Sequence, residues 1–184
     1  MKLTNIIFIL LLSLTVSGCL TYKTYEVTAV FNDNFSRAEI TATYTDVRSS
    51  EKDSTKQRED FKSLIEKYQG DEFLLEQVEG GIYVKERNIY EKDGMLNAGF
   101  SGVFERIGSD ASILKVNGDE RYILLEEIEP NDIIVSNGKV LRTKEVALLV
   151  WPKDLKKISY KVTKVYDQPT YSLLDVYQNW KKKQ

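Results

Sequence analysis

Between Tyr22 and Tyr44 apolar and polar residues alternate with a period of two. Tyr25, Val27, Ala29 and Phe31 share one face, with Glu26 and Thr28 on the other; Ala38, Ile40, Ala42 and Tyr44 repeat the pattern. Alternation rich in Thr, Tyr and Val predicts two half-buried strands from Tyr22 onward, joined as a hairpin at Asn32-Asp33-Asn34. Past a polar bridge at 49–54 the period changes. Phe61, Leu64, Ile65 and Tyr68 recur at i, i+3, i+4 and i+7, while Arg58, Glu59, Lys62, Glu66 and Lys67 fall elsewhere. That spacing predicts an amphipathic helix of roughly three turns. Gly70 is placed to end it, Asp71 to cap a second short helix through Phe73 and Val78, and Gly80-Gly81 to stop that one.

Strand patterning then resumes. The segments 82–92 and 95–106 flank Asp93-Gly94, a pair suited to a two-residue hairpin turn. Tyr122 to Leu125 is a short apolar run, and 133–136 and 139–142 flank Asn137-Gly138, a second hairpin signal. Val146 to Trp151 is almost continuously apolar, as in a central strand buried on both faces. Ile158, Tyr160 and Val162 alternate again. After Pro169, Leu173, Leu174, Val176, Tyr177 and Trp180 form a helical stripe that ends in Lys181-Lys182-Lys183. Such a helix either covers the sheet or lays Trp180 and the lysines against lipid head groups. The expected class is α+β: an antiparallel β-meander and hairpin sheet, an amphipathic helix pair after the first hairpin, and a C-terminal helix.

The first nineteen residues follow another logic. Lys2 precedes the apolar run 6–12, and the segment ends Val16-Ser17-Gly18-Cys19. A run of about 11 apolar residues is short of the roughly 20 that span a bilayer and fits the core of a signal peptide. The tetrapeptide resembles the lipobox of bacterial lipoproteins. That resemblance implies cleavage after residue 18, a diacylglyceryl thioether on Cys19, acylation such as palmitate on the new amino terminus, and a cell-envelope location. Leu20 in place of Asp after the cysteine would permit outer-membrane sorting in a Gram-negative host. The expected organisation is 1–18 signal peptide, 19–21 lipidated cysteine and short tether, and 22–184 one domain.

Composition narrows the chemistry. The 184 residues carry 26 basic and 28 acidic side chains, a net charge of −2 that becomes −3 without Lys2. Near neutrality argues against nucleic-acid binding. Histidine is absent and Cys19 is the single cysteine, so histidine-based triads and zinc sites are excluded, and thiolate chemistry goes once Cys19 is acylated. No cofactor and no metal are expected. Glu126, Glu127, Glu129 and Asp132 form an acidic cluster, read mainly as a solvated loop and alternatively as hydrolase carboxylates or calcium ligands. Asn32-Asp33-Asn34 begins like a calcium loop, but Arg37 stands where that loop needs glycine. Gly99 and Gly102 lie inside a strand, where they permit a bulge or close approach of the Phe100 ring, a helix or a ligand.

Aromatic residues are plentiful, with 11 Tyr, 7 Phe and 2 Trp. Phe61, Ile65, Phe100, Phe104 and Trp151 are candidate liners of an apolar groove between sheet and helices, or members of the ordinary core. In outline, a strand directly after the cysteine, a hairpin, a helix and the closing "NGKVLRTKEVALLVW" resemble the LppM-type envelope lipoproteins. The chain departs from them in lacking a C-terminal transmembrane helix and a glycine in the first turn. The resemblance implies lipid binding at the envelope. The expected function is a non-enzymatic, lipid-anchored protein binding an envelope partner or a lipid near the membrane. The alternative is a carboxylate-based hydrolase acting on envelope glycans.

Overall fold

A computed structural model describes residues 20–105, 114–126 and 128–184; Cys19, Arg106 and Glu127 lie outside them. Strand β1 (Leu20–Phe31) and strand β2 (Ala38–Ser49) form the first hairpin. Helices α1 (Ser54–Gln69) and α2 (Asp71–Glu79) follow, then strands β3 (Ile82–Lys92) and β4 (Met95–Phe104). The second half contributes β5 (Lys115–Asn117), β6 (Glu120–Leu125), β7 (Ile133–Ser136), β8 (Lys139–Arg142), β9 (Ala147–Pro152) and β10 (Lys157–Thr163). A short β11 (Tyr171–Ser172) leads into helix α3 (Leu174–Lys181). The α+β class stands, with every strand pairing antiparallel.

The strands make two sheets. The larger runs β3-β4-β2-β1-β10-β7, with β11 added to β2; the smaller runs β5-β6-β9-β8. The alternating residues Tyr25, Val27, Ala29 and Phe31 are buried, as are Ala38, Ile40, Ala42 and Tyr44. One end of this face meets the smaller sheet, where the rings of Trp151 and Tyr160 lie 6.5 Å apart. Elsewhere the helices cover it: Phe73 of α2 meets Phe100 edge-on at 5.5 Å.

The alternation breaks once. Tyr22 and Val47 are buried partners, three residues from the buried pair Tyr25 and Tyr44, so the core-facing parity changes in both strands. Asp46, at φ 55°, sits at the break, and its backbone N–H is held by Asn97 Oδ1 at 3.0 Å. A single left-handed residue turns the pleat, and both ends of the hairpin then bury their tyrosines.

Several local expectations need correction. β1 starts at Leu20, two residues before Tyr22, and Leu20 and Thr21 pair with Ser49 and Arg48. Asp71 is the first residue of α2 and not its cap; Gly70 holds that position. Asp53 caps α1, accepting from the backbone N–H of Thr55 and Lys56 at 2.8 and 3.0 Å. Asp93-Gly94 makes its turn with φ of 53° and 71°. Asn137-Gly138 behaves differently: β7 pairs with β10 and β8 with β9, so this turn crosses between the sheets. Asn137 fixes the crossing by accepting from Trp151 Nε1 at 2.9 Å and from Ser159 N at 2.8 Å. In Gly102 a Cβ would lie 2.5 Å from the Tyr83 carbonyl, and in Gly99 3.0 Å from that of Ala42. Neighbouring backbone, not a ring, helix or ligand, sets those two glycines.

Candidate functional site

The five proposed liners do not together enclose one cavity, although Phe100 is among the residues lining the larger concavity described below. Phe61 packs edge-on against Tyr177 and Trp180 of α3, at ring distances of 6.3 and 5.8 Å. Ile65, on α1 with Phe61, is half-buried. Phe100 contacts Phe73, and Trp151 is fully buried against Tyr160. Phe104 borders an apolar gap of about 20 Å³ with Val27, Ile40 and Ile123. That space suits one water-sized sphere and no acyl chain. All five residues belong to, or pack on, one continuous core.

The C-terminal helix resolves in the same way. Leu173 and Tyr177 are buried, the Tyr177 hydroxyl donates to the Ile89 carbonyl at 3.4 Å, and Gln178 Nε2 donates to Glu91 at 3.0 Å. The stripe covers the domain and holds α3 against β3.

Within the acidic cluster, Asp132 is buried and not solvated. Its carboxylate takes a salt bridge from Lys164 at 2.8 Å and accepts from Glu129 N and Val165 N at 3.0 and 3.3 Å. Arg142 donates to the carbonyls of Glu129, Pro130 and Asp132, fastening the loop from outside. The aspartate organises a turn beside β10, a structural assignment that leaves it no free lone-pair face toward solvent.

A larger concavity lies on the opposite face of the larger sheet. Thr41, Ala42 and Thr43 of β2, Glu86, Asn88 and Ile89 of β3, and Gly99, Phe100 and Ser101 of β4 line it. The polar residues among them alternate with the buried Ala42, Ala98 and Phe100 and therefore point away from the core. Tyr90 is half-buried at one side, and Tyr177 and Lys181 bring α3 to its border. The groove measures about 480 Å³, inside the range of roughly 300–1,000 Å³ usual for small-molecule sites.

Register explains how the polar side chains gather. Ser159, Thr28, Thr41, Ser101 and Glu86 are successive cross-strand partners. One row along, Lys161, Glu26, Thr43, Gly99 and Asn88 are partners in turn. Side chains opposite one another on an antiparallel pair sit about 5 Å apart, so the face carries ordered rows of hydroxyl, amide and carboxylate groups. A bulge between Val84 and Glu86 shifts β3 by one residue and brings Glu86 and Asn88 onto this face. Without the bulge their parity would be reversed, and sequence alternation alone gave no sign of it. No protein-family model, curated protein or solved structure matches this chain.

Proposed function

We propose that the protein is a lipid-anchored, non-enzymatic envelope module that binds its partner close to the membrane from which it hangs. Residues 1–19 carry the lipobox pattern, and Cys19 is the residue to be acylated. The observation that carries the reading is the position of Leu20. It is buried, it is the first residue of β1, and it pairs with Ser49. The residue next to the anchor is thus already part of the sheet. One residue spans at most about 3.8 Å, so acyl chains on Cys19 would hold the end of β1 at the lipid surface.

Two or more acyl chains anchor stably where one binds marginally. The 20 Å³ gap gives no support to a carrier that encloses a lipid. Binding is also favoured over hydrolysis by the groove, where Glu86 is the one carboxylate among the lining residues; glycoside hydrolysis uses a pair. In a host with an outer membrane, Leu20 permits sorting to that membrane. The test is growth with an alkyne fatty acid. Wild-type protein is expected to take up label and to sediment with membranes, and Cys19→Ala to do neither. Equal labelling of the variant would overturn the proposal.

A further inference from the structure

We infer that the domain rests on the bilayer through one corner of the larger sheet, where Ile133, Val135 and Val165 enter the head-group layer. This contact rests on the anchored reading of Cys19 and adds to it the surface that meets the lipid.

Register and hydrogen bonds assemble the corner. Thr24 of β1 pairs with Thr163 of β10, and Thr163 pairs with Ile133 of β7. Past β10 the chain continues along β1 toward Leu20 and is fastened to it. Lys164 N donates to the Lys23 carbonyl at 2.9 Å, the Tyr166 hydroxyl donates to the Tyr22 carbonyl, and Thr21 Oγ1 donates to Tyr166 at 2.7 Å. Val165 N donates in turn to Asp132, the residue before Ile133, at 3.3 Å. Ile133 and Val135 flank Ile134, whose partner Val162 is buried, so both stand on the outer face. Ile133, Val135 and Val165 are 56 %, 61 % and 39 % exposed. Ile133 lies four residues along β1 from Leu20 and two strands across, about 13 Å and about 10 Å on ordinary sheet spacings.

The make-up of this patch selects its occupant. A free-standing protein interface is held by buried aromatic or arginine anchors, and three aliphatic side chains are too few for one. With acyl chains one residue from Leu20 the same three need contribute little, because tethering already sets a high effective concentration of lipid. Apolar faces lying at a membrane surface bury about 5–10 Å into the head-group boundary. Charge does not oppose the contact. The exposed Lys23 and Lys161 offset Glu26 and Asp167, and Lys164 is paired with Asp132. Two other exposed apolar residues serve as references: Val30, on β1 but ten residues from Leu20, and Leu75 on α2.

The single cysteine makes the test direct. With Cys19 acylated the wild-type chain offers no thiol, so Ile133→Cys, Val165→Cys, Val30→Cys and Leu75→Cys each take one maleimide-linked nitrobenzoxadiazole dye. The full-length proteins are reconstituted in vesicles of phosphatidylethanolamine and phosphatidylglycerol, with or without a phosphatidylcholine spin-labelled near its head group. Dye at positions 133 and 165 is expected to shift to the blue and to lose about half its emission to the spin label, while dye at positions 30 and 75 keeps its emission. Matching circular-dichroism melts of the four variants keep folding out of the comparison. Equal quenching at the four positions, or none at 133 and 165, overturns the contact and leaves the anchor standing. Dye uptake by the wild-type chain shows a free Cys19 thiol, which overturns the anchored reading and the contact with it.

Discussion

The Ser49 hydroxyl donates to the buried carboxylate of Asp60 across 2.5 Å, joining the end of β2 to the middle of α1. Ser49 is fully buried, pairs with Leu20 on one side and Tyr171 on the other, and also accepts from Glu51 N at 2.9 Å. The start of β1, the last strand and the first helix therefore meet at one hydroxyl. Ser49→Ala leaves the carboxylate without that donor inside the domain, a loss of about 1–3 kcal/mol. Urea unfolding checks it. A midpoint equal to wild type would show that water replaces the hydroxyl at no cost.

Gly138 is fixed by a ring and not by its own backbone. A Cβ there would lie 2.4 Å from Trp151 Cδ1 and Nε1 and 2.4 Å from the Val150 carbonyl oxygen. Gly138→Ala must push the buried indole off Asn137, at a cost of about 1–3 kcal/mol for overpacking. The expected signature is a red shift of tryptophan emission together with a lower melting temperature. Retention of both would mean that the crossing turn absorbs the methyl group.

Four buried tyrosines link the sheet strands. The rings of Tyr25 and Tyr44 stack at 4.6 Å, Tyr22 meets Tyr44 at 5.0 Å, and Tyr160 meets Tyr25 at 5.9 Å. Burial, and then the neighbouring tyrosines, push the Tyr25 and Tyr44 hydroxyls well above the ordinary phenol value. Burial does the same to Tyr160. In the unfolded chain these groups ionise near pH 10, so above that pH the unfolded state binds fewer protons than the folded one. Their contribution to stability is fully present below about pH 10 and is lost as pH rises beyond it. The part of the tyrosinate absorbance contributed by these buried rings should appear only when circular dichroism reports unfolding. Ionisation of all eleven tyrosines before unfolding would contradict the burial. Tyr25→Phe should shift the alkaline transition to higher pH.

The elements were legible where one period ran undisturbed. Phe61, Leu64 and Tyr68 mark α1 because a helix with one buried face cannot hide its 3.6-residue repeat. Ala147 to Trp151 declared a central strand by its nearly unbroken apolar run, which only a strand buried on both faces sustains over so few residues. What stayed hidden depends on contacts distant in sequence. Asn137-Gly138 looks like an ordinary hairpin because the choice between pairing β7 with β8 or with β10 is made by Trp151 and Ser159. Thr41, Thr43 and Ser101 look like any solvent-facing strand positions; only register across three strands makes them a group. The bulge that completed that groove lies opposite Gly102, a glycine that permits a bulge on the neighbouring strand without saying where on it the extra residue falls. The apolar candidates were ambiguous for the opposite reason. Phe100, Phe104 and Trp151 carry a pattern that a packed core and a ligand cavity share.

Asp132 supplies the last test, because two readings of the acidic cluster differ in sign. Its side chain is wholly buried and paired to Lys164, which is itself mostly covered. A solvated carboxylate could be replaced freely, whereas breaking a buried pair leaves an uncompensated charge and costs about 3–5 kcal/mol. Asp132→Ala should therefore lower the urea midpoint strongly, while the same change at the exposed Glu129 should leave it nearly unmoved. Equal, small effects would return Asp132 to the solvent-exposed loop. The double variant Asp132→Ala with Lys164→Met separates the pair from the turn. Recovery toward wild type assigns the loss to the stranded lysine charge. A persistent loss assigns it to the Glu129 and Val165 amides, which lose their acceptor whenever the carboxylate is removed.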